Sequence, residues 1–500
     1  MHSIKKTAFR QTEKVETRAR NEYAGRDMSR TQAIAKNTVI QVVGRTFGTI
    51  FGLITLGVMT RYLGTTGYGA FTTVTSFLQF FGILVDFGLS LTTVAMLSER
   101  GADKDRITSN IFTLRIISAA VFFALAPLVV LAFPYSHEIK SGVGIASASF
   151  FMIALNQVLT SVLQKELRMA RAAMAEVIGR LGLLLGVLAV AHWQLGLGWM
   201  LAALVLGNVL TAAWNWLLVR KLVRVEWRFD WPVWKDVFDR SWPIALAITF
   251  NLIYLKGDVI VLSLTRSQSE VGIYGAAYKI LDVLTVIPIM FMGLVLPLLV
   301  KAQQENSPGD WKRIMQKAFD FMAVLAMPLV AGTLVVGDAL MHLFAGEAFA
   351  DSGRLLVILI LAAAAVFFGS FFGHAIIAAK KQRVMVWGYA IDAVLATALY
   401  FWMIPKHGPV AAAWVTVGAE VFIACATFFV VWRATKFVPS LRITLRAALA
   451  AVLMAGFITI LPNMHVLIKV VLGCLAYAAL ALTLRAVSPE TMKELLAKKS

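Results

Sequence analysis

The stretch RYLGTTGYGAFTTVTSFLQFFGILVDFG, residues 61–88, leaves one apolar run, crosses a short polar turn and enters another. A faint echo of it, LTRSQSEVGIYGAAYKILDVLTVIPIMFMG, occupies residues 264–293, with Tyr68-Gly69 aligned on Tyr274-Gly275. A second echo pairs WQLGLGWMLAALVLG, from Trp193, with IPKHGPVAAAWVTVG, from Ile404. Both echoes include loop residues as well as apolar ones, and chance similarity between greasy helices does not predict that. Together they imply two halves built on one plan.

What the halves are made of follows from composition. Of 500 residues 59% are hydrophobic and only 15% charged, with a mean hydropathy of +0.76. Soluble chains carry about 25% charged residues. Apolar runs of about 20 residues, the length that spans hydrocarbon at about 1.5 Å per helical residue, recur from residue 37 almost to the end. The short alternating segments of a membrane barrel are missing. The expected fold is all-α and polytopic, with about 14 transmembrane helices near 37–60, 67–94, 108–133, 141–163, 173–191, 196–219, 241–264, 273–300, 315–337, 355–378, 384–404, 409–431, 443–461 and 464–484.

In this count six spans separate the members of each echo. An even offset gives both halves the same orientation, hence a parallel repeat about an axis along the membrane normal. The expected organisation is a basic cytoplasmic tail (1–36), an N-terminal six-helix bundle (37–219), a basic linker (220–240), a C-terminal six-helix bundle (241–431), an appended pair of helices (443–484) and a cytoplasmic tail (485–500). Two bundles rocking about an interfacial site is the plan of an alternating-access carrier.

Lysine and arginine placement orients the chain. With the N-terminus inside, 36 of the 47 fall in cytoplasmic segments, and six (Arg61, Lys140, Arg266, Arg354, Lys406, Lys469) fall outside. Both termini are therefore expected in the cytoplasm. The net charge of +19 then lies where anionic inner-leaflet lipids attract it, and no nucleic-acid partner is needed to explain it. The tail 1–36 reads as a disordered, lipid-facing arm. Some 36 polar, basic residues before the first apolar run argue against a cleavable signal. Cys425 and Cys474 share no ligand spacing and read as small apolar residues.

The chain resembles the polysaccharide transporter family, within the multidrug/oligosaccharidyl-lipid/polysaccharide exporter superfamily. The resemblance rests on NTVIQVVGRTFGTIFGLITLGVMTRYLGTTGYGAF (37–71), VDFGL (85–89), GDVIVLSLTRSQSEVGIYGAAYKI (257–280) and, more weakly, IPKHGPVAAAWVTVGAE (404–420). It covers nearly all of residues 36–485. It implies flipping of undecaprenyl-diphosphate-linked oligosaccharide from the cytoplasmic to the outer leaflet of a bacterial inner membrane, for O-antigen, capsule or exopolysaccharide synthesis. A polysaccharide polymerase and chain-length machinery are implied partners. The superfamily also holds drug exporters and flippases of the lipid-linked peptidoglycan precursor, and these stay open as alternatives.

Ionisable residues within the spans cost about 2.5–3.5 kcal/mol each if they face lipid. The basic ones are Arg45, Arg115, Arg180, Lys256 and Lys279; the clearest acids are Asp86, Glu176, Asp258, Asp282, Asp392 and Glu420. Arg115 lies near a span end and is expected to snorkel. Glu176 and Arg180 at i, i+4, and Lys279 and Asp282 at i, i+3, are expected to meet on one helix face. Lys256 and Asp258, two apart, point about 200° from each other, so one helix cannot hide both from lipid. Span seven must be wrapped by protein and water, with Gly257 permitting close approach. Arg45 has no acid at i±3 or i±4, and Asp86 is a candidate partner.

A diphosphate headgroup gives the cations a use, because arginine offers phosphate two parallel hydrogen bonds. Arg45, Arg180, Lys256 and Lys279 are the expected substrate-binding residues. Asp86, Asp258, Asp282 and Glu420 are expected to balance charge or to bind a coupling proton or sodium ion, the only cofactor foreseen. No catalytic residue or metal site is expected. The segment GDALMHLFAGEAFADSGR from Gly337 contains no catalytic arrangement, no Walker sequence occurs, and the histidines make no H-E-x-x-H. A glycan polymerase or ligase is the remote alternative. A cationic-drug site would favour acidic, aromatic cavities, whereas the five intramembrane cations favour an anionic substrate.

Overall fold

The computed structural model describes residues 2–486, apart from 100, 167, 306 and 463, with side chains from residue 40 onward except those of 42, 243, 244 and 247. The described residues form thirteen α-helices: α1 (His2–Asp86), α2 (Leu89–Leu97), α3 (Lys104–Val129), α4 (His137–Lys165), α5 (Met169–His192), α6 (Leu197–Val219), α7 (Trp231–Thr265), α8 (Gln268–Gln304), α9 (Pro308–Ala345), α10 (Asp351–Ala378), α11 (Gln382–Thr435), α12 (Arg442–Ile460) and α13 (Val466–Thr483). Among the described residues twelve helical stretches are long and apolar enough to cross a membrane.

Two of the twelve are double. Gly64 (φ 65°) interrupts α1 and Gly408 (φ 59°) interrupts α11, each in a left-handed conformation that glycine adopts without strain. Contacts show that the chain reverses at both. In the first arm of α1, Gly44 lies against Ala173 at the start of α5, and the Tyr62 hydroxyl donates to the Leu195 carbonyl beyond its far end. Through the second arm and α2 the order runs back, from Gly69 against Gly272 to Thr92, which accepts from Ser241. Likewise Tyr400 meets Tyr254, Gly408 meets Arg266, and Thr416 returns to Asp258. Dividing both helices gives fourteen apolar segments among the described residues and places the described lysine- and arginine-rich connections on one face.

Local chemistry sets the helix ends. Asp103 caps α3 by accepting from the Arg106 amide, and Ser267 with Glu270 forms a reciprocal capping box on α8. The expected disorder of residues 1–36 is not what the backbone shows: residues 2–36 continue α1 as helix. Their Ala, Glu, Gln, Lys and Arg content favours that conformation. The tail expected from 485 lies outside the described residues from 487 onward.

Separate apolar clusters hold the two lobes. Val74, Leu78, Phe123, Val143 and Leu201 fill the first lobe; Met292, Met315, Met322, Phe367 and Phe371 fill the second. The last two helices pack on α9, through Ala331 and Val336 against Ala447, Met454 and Ile458. The lobes join on the face opposite the basic one. There the Arg61 guanidinium donates to the carbonyls of Leu343 (2.7 Å) and Phe344 (3.2 Å), and Tyr68 stands edge-on to Phe349. Beside them Gly69 and Gly272 bring two backbones together. A methyl on Gly69 would lie 1.7 Å from the Gln268 carbonyl oxygen, and one on Gly272 2.0 Å from that of Thr65. Only glycine fits this seam.

On the basic face the linker lies along α3. The backbone N–H groups of Arg224, Glu226 and Arg228 donate to Asp105, Ser109 and Thr113 at 3.0–3.1 Å. Two extended residues rise about 6.6 Å and four helical ones about 6 Å, so the alternating amides keep step with one helix face. Arg106 bonds Asp230 (2.6 Å) and holds its carboxyl below the ordinary range. Arg240 bridges Asp236 and Glu99.

Candidate functional site

Span seven answers the puzzle of its two charges. Lys256 turns toward α8, with Nζ 3.1 Å from Asp282 Oδ1 and 4.1 Å from the centre of the Tyr278 ring. Asp258 turns the other way and is fully buried, accepting from the Tyr274 hydroxyl (2.5 Å), the Thr416 hydroxyl (3.2 Å) and the Val259 amide (2.7 Å). Tyr400 and Tyr278 donate to the carbonyls of Tyr254 and Leu255 just above. The segment is wrapped by protein on one side and opens to a cavity on the other. A methyl on Gly257 would meet the Tyr400 ring at an ordinary 3.7 Å, so no unusually close approach depends on the glycine.

Three of the expectations for these charges differ in the structure. Arg115 does not snorkel: it is fully buried, with Nη2 donating to Asp86 Oδ1 at 2.6 Å and Nη1 to the Val85 carbonyl at 2.8 Å. Asp86 therefore serves Arg115 rather than Arg45. The cause is the left-handed pair Phe87 (φ 41°) and Gly88 (φ 73°), which breaks the helix after Asp86. Ser90, one turn beyond the break, donates to the same carboxylate at 2.5 Å. Asp282 bonds Lys256 instead of Lys279, because α7 lies closer to it than its own helix neighbour. Glu176 and Arg180 do pair, at 2.9 Å.

What remains is a set of cations without a full complement of acids. A cavity of 690 Å³ in the first lobe is lined by Arg45, Arg180, Glu176 and Lys279. Neither Arg45 nor Lys279 has a hydrogen-bonding or ion-pair partner among the described residues, and Lys279 is exposed to the cavity. A 170 Å³ space under the glycine seam continues it, sharing Arg180 and Lys279 and adding Lys256 and Asp282. Through Lys256 and Tyr278 it meets a 470 Å³ cavity of the second lobe, where Glu420, His374 and Tyr389 line the wall. Glu420 and Asp392 are both buried, and the Asp392 Oδ2 atom has no partner. The expected residues Arg45, Arg180, Lys256, Lys279, Asp282 and Glu420 thus border one continuous system. Asp86 lies apart from it, and Asp258 is buried behind it.

Such an arrangement can hold an anion between the lobes. Phosphate oxygens would find two guanidinium groups and two ammonium groups around a space sealed on one face by Arg61 and the glycines. Sequence reasoning missed the polar uncharged wall of the first cavity. Gln41, Thr75, Gln79, Asn156, Asn208 and Asn215 line it, and the seven-residue spacing of Asn208 and Asn215 was the available signal.

The sequence profile of the family described as polysaccharide biosynthesis protein matches residues 34–303, more than half of the chain. The chain belongs to this family. Its place is among the polysaccharide transporters, multi-pass membrane proteins of polysaccharide biosynthesis. The protein described as probable low-salt glycan biosynthesis flippase Agl15, from Haloferax volcanii, is 22% identical over 391 residues, 76% of this chain and 79% of the relative. An O-antigen transporter candidate of Shigella flexneri is 20% identical over 395 residues, 76% of this chain and 93% of the relative. Among solved structures, the lipid II flippase MurJ in an inward closed conformation superposes with a TM-score of 0.74 at 15% identity, covering 89% of this chain and 99% of that one. An inward-facing multidrug resistance MATE transporter gives 0.66 at 14%, covering 80% and 98%. At these identities the structures establish the fold alone, a polytopic all-α helical bundle.

Proposed function

We infer that this chain flips undecaprenyl-diphosphate-linked oligosaccharide from the cytoplasmic to the outer leaflet of a bacterial inner membrane, by alternating access, for surface polysaccharide synthesis. The observation that carries this reading is the excess of cation around the space between the lobes, Arg45 and Lys279 without an acid among the described residues beside the paired Arg180 and Lys256. A diphosphate crossing hydrocarbon needs compensating charge, and these groups supply it where water is sparse. The described relatives, a glycan-biosynthesis flippase and an O-antigen transporter candidate, support the same reading. The distribution of lysine and arginine supports both termini lying in the cytoplasm, beside anionic lipids. The glycine seam then closes the outer face and the cavity opens inward.

In this reading the second lobe couples transport to a proton or sodium ion. Asp258 is fully buried and bonded among the described residues only to hydroxyls and an amide, and α11 adds the buried acids Asp392 and Glu420. A carboxylate held this way gains most from a bound cation.

Reconstituted vesicles test the reading. With undecaprenyl-diphosphate-linked oligosaccharide in both leaflets and an impermeant glycan oxidase outside, wild-type protein should expose the inner pool to the enzyme. The double variant Arg45→Ala, Arg180→Ala should slow that exposure by at least about tenfold, the scale of losing charge-assisted bonds. Equal rates for variant and wild type at equal reconstitution would reject the reading.

A further inference from the structure

The first-lobe cavity has two chemically distinct walls. Its cations come from α1, α5 and α8: Arg45, Arg180 and Lys279. Facing them, α4 and α6 contribute a ladder of neutral polar groups. Asn208 Nδ2 donates to Ser149 Oγ at 2.7 Å, and Asn215 Nδ2 donates to Asn156 Oδ1 at 2.7 Å. Both rungs join residues 59 apart in sequence, as two parallel helices in register require. Ser149 and Asn156 are seven residues apart, as are Asn208 and Asn215, so the rungs share one face about 10.5 Å apart.

Interhelical amide bonds are common glue in membrane bundles. Glue alone would use up its own hydrogen-bonding groups, and this ladder does not. Asn215 is almost fully buried, yet its Oδ1 has no partner. Asn208 Oδ1 and the Asn156 amide N–H groups likewise have no bond to the described residues. All three asparagines line the cavity. An amide carries two donors and two acceptor lone pairs. Asn208 spends its N–H groups on Ser149 and the Leu204 carbonyl and offers its oxygen, whereas the Asn156–Asn215 rung keeps both N–H and C=O groups for a ligand. The groups are uncharged, so they do not compete for the phosphates. Their spacing along the helices suits successive rings of a saccharide, whose hydroxyl and acetamido groups are themselves donors and acceptors.

We propose that Asn156, Asn208 and Asn215 form a saccharide-reading wall, hydrogen-bonding the sugars nearest the diphosphate while Arg45 and Arg180 hold the diphosphate itself. This rests on the flippase reading and deepens it: the cations set affinity for any diphosphate lipid, and the amides make the glycosylated lipid the preferred one. Buried polar groups of this kind reject a ligand that leaves them unpaired.

The test is equilibrium binding to purified full-length protein in nanodiscs, with undecaprenyl diphosphate and undecaprenyl-diphosphate-N-acetylglucosamine as probes. Wild-type protein is expected to bind the sugar-bearing lipid about tenfold more tightly, one hydrogen bond's worth. Asn156→Ala and Asn215→Leu should each reduce that preference to within about twofold while leaving affinity for the bare diphosphate unchanged. That unchanged affinity also certifies that the variants fold. Equal wild-type affinity for the two probes, or a preference that survives both substitutions, overturns the proposal. A structural ladder would instead lower thermal stability and leave the preference intact. Should Arg45→Ala and Arg180→Ala leave bare diphosphate binding untouched, the flippase reading itself fails; loss of the sugar preference alone separates the two.

Discussion

Replacing Gly69 by alanine probes whether the seam between the lobes is a gate. The added methyl would stand 1.7 Å from the Gln268 carbonyl oxygen, and backbone there cannot swing aside as a flexible side chain would. Ordinary contact begins near 3.4 Å, so the two helices must part by roughly the difference. Overpacking of this kind costs about 1–3 kcal/mol. If the seam exists only in the outward-closed state, the whole cost falls on that state. It then shifts the closed-to-open ratio by about 5- to 150-fold. The assay is double electron–electron resonance between spin labels at Thr66→Cys and Lys406→Cys, on opposite lobes of the sealed face, after Cys425 and Cys474 are replaced by serine. Gly69→Ala should move population from the short to the long distance. Gly144→Ala, where a methyl meets nothing within 4 Å, is the control and should leave the distribution alone. A Gly69→Ala protein with an unchanged distance distribution and a lowered melting temperature would refute the gate, since the cost would then fall on every state alike.

The buried pair on α1 and α3 gives a stability prediction: Arg115→Met strands Asp86 and should cost about 3–5 kcal/mol, with Asp86→Asn restoring part of it in the double variant. Thermal unfolding in detergent checks this, and additive losses would contradict the pairing. Asp258→Asn should abolish any dependence of transport on the sodium or proton gradient while the protein still binds undecaprenyl diphosphate; gradient-driven transport that persists would remove Asp258 from coupling. Arg106 lowers the Asp230 carboxyl below its ordinary 3.8, so its folded pKa lies under the unfolded one. The pair's contribution is therefore present above that ordinary value and lost as pH falls through the lower one. The melting-temperature difference between wild type and Asp230→Asn should stay constant from pH 8 to 5 and shrink below 4; a difference that changes between pH 8 and 5 would contradict the assignment.

The spans were legible because hydrocarbon imposes a length and a composition that few other environments do. The reversals at Gly64 and Gly408 were legible as polar turns, and the Tyr68 and Tyr274 echo located equivalent entries into the second helix of each half. The wrapped state of span seven followed from angular geometry alone, since residues 256 and 258 cannot share a face. Partners across helices were another matter. Lys256 finds Asp282 on α8 and Arg115 finds Asp86 around a break at Phe87, choices fixed by tertiary packing and a local left-handed turn that sequence spacing does not encode. The amides of α4 and α6 carry no charge, and only their matched seven-residue spacing marks them in the sequence. In the N-terminal segment two sequence signals oppose each other: charge implies disorder, while a composition rich in helix formers favours the continued helix.

The most direct test of the central claim compares a deletion strain with its complemented parent, mapping lipid-linked oligosaccharide between leaflets with an impermeant glycan-modifying probe. The account predicts that the deletion strain accumulates the lipid-linked glycan on the cytoplasmic face and loses the surface polymer. A normal leaflet distribution in a strain without a second flippase would contradict it.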